Sequence, residues 1–157
     1  MRWIRGTAEE IPDTGALAPI RIFTDEIELL GFVAPAGQRI TDMLLRGQDL
    51  AFLPRGAHPE PMNWLSIWPH EMLMVVPPPL QRSTQWLAER DLRTVSLCVG
   101  PYRVRGTIHL APGDDLAVDL RRRQSFLPLT RAVIDGEGVA ERVEVVIINL
   151  ARARFER

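Results

Sequence analysis

The chain contains no lysine, so each of its 19 basic residues is an arginine. Without lysine a phosphate-binding loop of the Walker type is excluded, and no GxGxxG pattern occurs either. Arginine makes bidentate contacts with carboxylates and phosphates better than lysine does, which favours anion or nucleic-acid binding. A GC-rich coding sequence explains the same bias without any function, and the abundant alanine, glycine and proline support that explanation.

Cysteine and long apolar runs are also scarce. The single cysteine, Cys98, excludes an internal disulfide and fits a reducing compartment, so we expect a cytoplasmic protein. No apolar run approaches the roughly 20 residues that span a bilayer, so we expect no membrane span. Residues 1–13 lack the apolar segment of a secretory signal. The hydrophobic content of 46% and the net charge of −1 are typical of a soluble globular chain.

Residues that carry catalysis or bind metals are few. There is no GxSxG motif, and Cys98 occupies an apolar strand pattern that predicts a core residue. The three histidines occur without HxxxH, CxxC or HExxH spacing. His58 and His70 fall in predicted loops or turns, and His109 falls on the outer face of a predicted strand. We therefore expect no enzymatic activity, no cofactor and no metal site.

The most informative feature is an internal duplication. Residues 21–54 and 96–128 share an apolar strand pattern, a glycine, more strand, a turn, a short helical pattern and Phe-Leu-Pro. The shared glycines, Gly31 and Gly106, are typical of a bulge or sharp bend inside a strand. Each copy predicts β-β-α-β-β-β, and the whole chain predicts a mainly β fold of two small, strongly curled sheets. Units this small bury little surface, so we expect them to pack on each other or on a partner.

The duplication divides the chain into four predicted segments. They are an N-terminal arm (1–19), a first repeat (20–79), a proline-rich and helical linker (80–94) and a second repeat (95–157).

Charge is shared unevenly along the chain. Through Asp91, eight arginines oppose 12 acidic residues, a net charge of −4. From Leu92 on, 11 arginines oppose eight acidic residues, a net charge of +3. Opposite charges of this kind could attract the two copies, or neighbouring molecules head to tail, although most surface charge is simply solvated.

The second copy carries an ordered set of residues: Gly106, Pro112-Gly113, Leu116, Phe126-Leu127-Pro128-Leu129 and Ile148-Asn149. This pattern resembles a small bacterial family of β-rich domains to which no function is assigned, and the resemblance implies a fold without catalytic residues. The first copy matches more loosely, with Trp68-Pro69 in place of Ile148-Asn149. The five short strands, with a break before the last, also look like an Sm-like small barrel, which implies RNA binding. Here the helix falls between the second and third strands, whereas in Sm proteins it precedes the first.

Two tryptophans are candidates for binding a protein partner. Trp64 and Trp68 lie four residues apart, on the same side of a predicted strand. Tryptophan is enriched at protein interfaces, but a unit this small could equally need both side chains for its core. The sequence leaves these two interpretations open.

A run of three arginines is the candidate anion-binding site. Arg121, Arg122 and Arg123 end the predicted helix Leu116–Arg123, where positive charge also complements the helix dipole. Strand alternation places Arg103 and Arg105 on one face, and it likewise places Arg152 and Arg154 on one face. Together they predict a basic face in the second copy; its further candidates are Arg131, Arg152 and Arg154.

These patterns predict a non-enzymatic adaptor or assembly subunit that binds proteins. The partner would be a second copy of the chain or another subunit. The alternative is a nucleic-acid or anion-binding module that uses the arginine-rich face of the second repeat. A small-molecule site in the cleft between the copies ranks third, and an enzyme ranks last.

Overall fold

The computed structural model describes residues 17–35, 37–79, 91–122 and 125–156. These residues are mainly β, as the sequence predicts, with ten strands and two short α-helices. The chain divides into two compact units, Met1–Pro78 and Pro79–Arg157, called unit 1 and unit 2 below. No helix in the described ranges is long and apolar enough to cross a membrane.

Unit 1 follows the predicted order β-β-α-β-β-β. A 3-10 helix, Pro69–Glu71, separates its last two strands. The strands are antiparallel and lie in the order fifth, first, second, third, fourth. The elements are β1 (Ala18–Thr24), β2 (Glu28–Val33), α1 (Ile40–Leu45), β3 (Leu50–Pro54), β4 (Leu65–Ile67) and β5 (Met72–Val76).

Unit 2 repeats this order of elements. A 3-10 helix, Leu150–Arg152, again separates its last two strands. The antiparallel strands again lie in the order fifth, first, second, third, fourth. The elements are β6 (Asp91–Val99), β7 (Tyr102–Leu110), α2 (Leu116–Arg122), β8 (Phe126–Gly136), β9 (Val139–Asn149) and β10 (Ala153–Phe155).

The strands of the two units, as far as they are described, form open sheets. In each unit the fourth and fifth strands stand at opposite ends of the strand order. A barrel would require the ends of the order to meet. The prediction of Sm-like barrels is therefore not confirmed, whereas the strand content and the order of elements are.

The helix of unit 1 is held by two apolar residues spaced one turn apart. Ile40 and Leu44 are 5% and 1% exposed, and they are the buried residues of α1. A helix of six residues is too short to persist alone in water, so packing of this pair stabilises it. In unit 2, Asp115 precedes α2 and accepts a hydrogen bond from the Ala117 backbone N–H at 3.2 Å, which satisfies a donor in the first turn of the helix.

The two corresponding glycines allow close approach of the neighbouring strand. A Cβ atom on Gly31 would lie 2.2 Å from the Leu53 carbonyl oxygen and 2.5 Å from the Phe52 ring. A Cβ atom on Gly106 would lie 3.0 Å from the Leu129 Cβ. The register between β7 and β8 also shifts at Gly106, which confirms the predicted irregularity there.

The 3-10 helices explain why the two copies differ in one motif. In unit 2 Asn149 is 4% exposed, and its Oδ1 accepts a hydrogen bond from the Ala151 backbone N–H at 3.1 Å. In unit 1 the corresponding residue is Trp68, whose backbone N–H donates to Glu71 Oε2 at 3.2 Å. Both residues therefore precede a 3-10 helix, stabilised by a side-chain oxygen from a different position in each unit.

Several predicted boundaries differ from the structure. Strand β6 begins at Asp91, so the last four residues of the predicted linker are strand, because β6 pairs with β7 from Asp91 opposite Leu110 onward. Strand β1 likewise begins inside the predicted arm, at Ala18. The predicted turn at Pro69-His70 is a 3-10 helix, and the strand before it is shorter than expected. Most of the arm and the linker helix lie outside the described residues.

Candidate functional site

Strand β7 presents two arginines on the exposed side of the unit 2 sheet. Val104, Ile108 and Leu110 are fully buried, while Arg103 and Arg105 are exposed. Successive side chains of a strand point to opposite faces, so the two arginines share the outer face. The prediction made from their alternation is confirmed.

Strand pairing brings a third arginine onto this face. Arg154 of β10 lies opposite Cys98 of β6, and Cys98 lies opposite Arg103 of β7. Residues directly opposite in antiparallel strands project from the same face. Arg154 and Arg103 therefore flank Cys98 in one row across three strands.

A second row adds a fourth arginine. Arg105 of β7 lies opposite Val133 of β8, and Val133 lies opposite Arg142 of β9. Arg142 is exposed, as is Arg154. We call the surface formed by Arg103, Arg105, Arg142 and Arg154 the arginine face.

The strand geometry sets the spacing of these charges. Neighbouring strands lie about 4.8 Å apart, so opposite residues on strands that are two places apart in the sheet have Cα atoms about 10 Å apart. Arg103 and Arg105, two residues apart on one strand, are separated by about 7 Å. The arginine face therefore extends about 19 Å, from β10 to β9, across five strands.

Three of the four arginines have no compensating carboxylate. In the part of the chain that the structure describes, Arg105, Arg142 and Arg154 make no ion pair and no side-chain hydrogen bond. Their side chains are free to meet an external anion. Arg103 differs, because a carboxylate of the same unit holds it.

Glu156, next to β10, accepts two hydrogen bonds on one oxygen. Arg103 Nε donates to Glu156 Oε1 at 2.9 Å, and the Cys98 thiol donates to the same oxygen at 3.1 Å. The hydrogen bond from Cys98, together with the charge of Arg103, lowers the pKa of Glu156. The negative charge of Glu156 in turn raises the pKa of Arg103. Both groups are therefore charged in this contact at neutral pH.

Cys98 is not a core residue, so that prediction is wrong. It is half-buried, whereas its strand neighbours Leu97 and Val99 are fully buried. Alternation along β6 places Cys98 on the outer face, where its thiol contacts Glu156.

An open cavity of about 370 Å³ lies at one end of the arginine face. Two basic residues, Arg103 and Arg154, and two acidic residues, Asp135 and Glu137, line it. Tyr102 is the one aromatic residue in its lining and lies against Gly136, where a Cβ atom would lie 2.6 Å from the ring. The cavity is thus of mixed charge, in contrast to the row of unpaired arginines beside it.

The other predicted arginines have different positions. Arg121 and Arg122 end helix α2, and Arg123 lies outside the described residues. Arg131 is exposed and has a positive φ of 48° in β8. Arg152 is exposed in the 3-10 helix before β10, so the prediction that it alternates with Arg154 along one strand is wrong. Arg142 was missed at the sequence level, because its place on the face depends on the register of β9.

The two tryptophan candidates have opposite environments. Trp64 is 2% exposed, and its Nε1–H has no hydrogen-bond partner among the described residues. Trp68 is 38% exposed, and its ring stacks on His70 with a centroid distance of 6.4 Å. They are not on the same side of a strand, because the strand between them is only three residues long. Burial therefore supports the core interpretation for Trp64 and the surface interpretation for Trp68.

The histidines do not gather into a site. His58 and His70 are exposed, and His109 Nε2 lies 2.7 Å from Thr130 Oγ1. Within the described ranges no three histidine, cysteine or acidic side chains lie close enough together to hold a metal ion.

No known protein family, curated protein or solved structure matches this chain.

Proposed function

We propose that the chain is a non-enzymatic binding module whose arginine face binds a phosphate-bearing polyanion, with nucleic acid as the ligand class. The observation that carries the proposal is the register of unit 2. It aligns four exposed arginines on one sheet face, and three of them make no ion pair with a carboxylate in the described part of the chain.

Electrostatics supports a polyanion over a small single anion. Four like charges spread over about 19 Å repel one another, and no single small anion reaches all of them. A chain of phosphates contacts several arginines at once and releases the counterions that surround it. Guanidinium groups are also the side chains best shaped for bidentate contact with phosphate.

The composition of the face supports binding that is insensitive to base sequence. Single-stranded nucleic acid is often held by aromatic rings that stack on bases. The aromatic residue beside the arginine face is the half-buried Tyr102. Contacts to phosphates position a ligand without reading its sequence, so similar affinity for different sequences is expected.

Fluorescence anisotropy of the whole chain with labelled oligonucleotides tests the proposal. The probes are a uridine RNA of about 12 nucleotides, a length within the range of single-strand sites, and a DNA duplex of equal length. Four phosphate contacts predict a slope of about −2.8 in log K against log salt for the single strand. Affinity should then fall about 50-fold between about 50 and 200 mM salt. Absent or salt-insensitive binding would refute the proposal.

A protein-binding adaptor is the second candidate, favoured by the exposed ring of Trp68. Large aromatic residues at the surface often anchor protein interfaces. The partner would be a second copy of the chain or another subunit. Affinity purification of the tagged chain at native level distinguishes the two candidates. A stoichiometric protein that survives high salt and is lost in Trp68→Ala supports the adaptor. A nuclease-sensitive, salt-labile component supports the arginine face.

The shared order of elements supports a tandem duplication as the origin of the two units. In each unit the strands have the same order and a 3-10 helix precedes the fifth strand. The arginine face belongs to unit 2, so the proposal assigns polyanion binding to one copy. Unit 1 has a net charge of −4, because residues 1–78 contain six arginines and 10 acidic residues.

A further inference from the structure

We propose that Glu156 is an internal competitor that occupies Arg103 when no ligand is bound and has to leave it when a polyanion binds. The inference rests on the proposed function of the arginine face and adds to it a regulatory contact within unit 2.

The position of Glu156 is fixed by the backbone. Its N–H donates to the Ser96 carbonyl oxygen at 2.9 Å, which continues the pairing of β10 with β6 for one more residue. This pairing places the carboxylate beside the row formed by Arg154, Cys98 and Arg103. The same backbone pairing with β6 therefore positions both Arg154 and the Glu156 carboxylate at the arginine face.

The carboxylate makes the kind of contact that a ligand phosphate would make. One of its oxygens accepts from the Arg103 guanidinium at 2.9 Å and from the Cys98 thiol at 3.1 Å. Charge-assisted hydrogen bonds from arginine to an anionic oxygen are used for carboxylates and phosphates alike. A phosphate that binds Arg103 through Nε therefore has to displace Glu156.

The contact is suited to displacement because it is exposed. The side chains of Arg103 and Glu156 are 67% and 31% exposed. Exposed ion pairs are screened by water and salt, and their net strength is small. A polyanion held by three unpaired arginines can therefore replace this one carboxylate. Until it does, Glu156 both occupies Arg103 and repels incoming phosphates.

The test compares two variants that remove the same charge. Glu156→Gln removes the competing carboxylate. Glu144→Gln is the matched control, because Glu144 lies two residues from Arg142 on β9, is exposed, and makes no ion pair within the described chain. A change in net charge alone affects both variants alike, so the difference between them reports the release of Arg103.

Binding of the uridine RNA is measured for the wild-type chain and both variants over the same salt range. Removing the competitor leaves the number of phosphate contacts at four, so binding should strengthen by up to about fivefold, as expected for loss of an exposed ion pair, while the salt slope stays at about −2.8. We expect this gain in Glu156→Gln and less than half of it in Glu144→Gln. The gain should disappear in the double variant Arg103→Gln/Glu156→Gln, because no freed guanidinium remains.

The outcomes separate this inference from the proposed function. If the wild-type chain binds with the expected salt slope but Glu156→Gln equals Glu144→Gln or binds more weakly, the inference is overturned and the proposed function stands. If Glu156→Gln binds and the wild-type chain does not, the competition is stronger than we infer and is supported. If neither binds at about 50 mM salt, the low end of the range, both proposals fail together.

Discussion

Removing two arginines from the outer face of unit 2 should weaken polyanion binding by a predictable amount. Arg105 and Arg142 are the best positions, because both are exposed and neither has an ion-pair partner in the described ranges. They flank Val133 in one row, so the double variant Arg105→Gln/Arg142→Gln removes both positive charges from that row. Glutamine keeps most of the side-chain length and hydrogen-bonding capacity, so the sheet should fold unchanged.

The magnitude follows from the number of phosphates that are contacted. Each lost contact lowers the slope of log K against log salt by about 0.7 for a single strand. Two lost contacts lower the slope from about −2.8 to about −1.4, and they weaken binding about 25-fold at about 100 mM salt. The change in slope is the stronger evidence, because a partly misfolded variant would lose active protein without losing salt dependence.

Two arginines of unit 1 provide the matched control. Arg46 and Arg55 are exposed, and within the described chain their side chains make no hydrogen bond and no ion pair. The variant Arg46→Gln/Arg55→Gln has the same net charge as Arg105→Gln/Arg142→Gln. Anisotropy titrations of both should show the full loss in the unit 2 variant and less than a twofold loss in the control. Equal losses in both would mean that net charge, and not the arginine face, governs binding, and would refute the reasoning.

Three further predictions concern stability. Gly31→Ala should lower the free energy of unfolding by about 3 kcal/mol, because the new Cβ meets a backbone oxygen, whereas Gly106→Ala should cost at most about 1 kcal/mol; denaturant unfolding that gave equal losses would contradict the distances. Asn149→Ala should cost about 1 kcal/mol by removing the acceptor for the Ala151 N–H, and Asn149→Asp should retain most of the stability in thermal melts. Because the pKa of Glu156 is lowered, its stabilising contact is complete above the ordinary glutamate pKa of about 4.3 and is lost as the pH falls through the lowered value. The difference in melting temperature between the wild-type chain and Glu156→Gln should therefore shrink in acid, and a difference that grew would contradict this sign.

The order of elements could be predicted because the spacing of apolar residues and the positions of glycine and proline indicate the same elements along the chain. Alternating apolar residues marked the strands, and glycine or proline turns marked their ends. The alternation is clear in strand β7, Tyr102–Leu110, where every second residue from Val104 to Leu110 is buried. Closure into a barrel could not be predicted in the same way, because it depends on which strands become neighbours.

The candidate site was predicted only in part, because the register of paired strands and the ends of a short strand do not follow from residue spacing alone. Arg103 and Arg105 share one strand, so alternation alone placed them together. Arg142 joins them only through the pairing of β8 with β9, which periodicity does not reveal. Trp64 and Trp68 have the spacing of one strand face, but strand β4, Leu65–Ile67, begins after Trp64 and ends before Trp68.

Cys98 shows a different kind of error. Its apolar neighbours suggested a core position, yet the alternation of Ser96, Leu97, Cys98 and Val99 already separates two half-buried residues from two buried ones. In β6 the alternation of side chains, and not the hydrophobicity of the neighbouring residues, determines which residues are buried. Strict alternation of side chains along β6 places the thiol on the outer face.

The strand order of unit 2 has a consequence for folding during synthesis. Its fifth strand, β10, pairs with its first, β6, and the contact between Cys98 and Glu156 joins residues 58 positions apart. Domains fold as units, with N-terminal ones first, as the chain is made. The strands of unit 1 all precede Pro78, so they can pair while unit 2 is still being translated. Arg154 and Glu156 are translated last among the residues discussed above. The ribosome therefore adds the last arginine of the face and the carboxylate that occupies Arg103 within three residues of each other, so the two become available at nearly the same time.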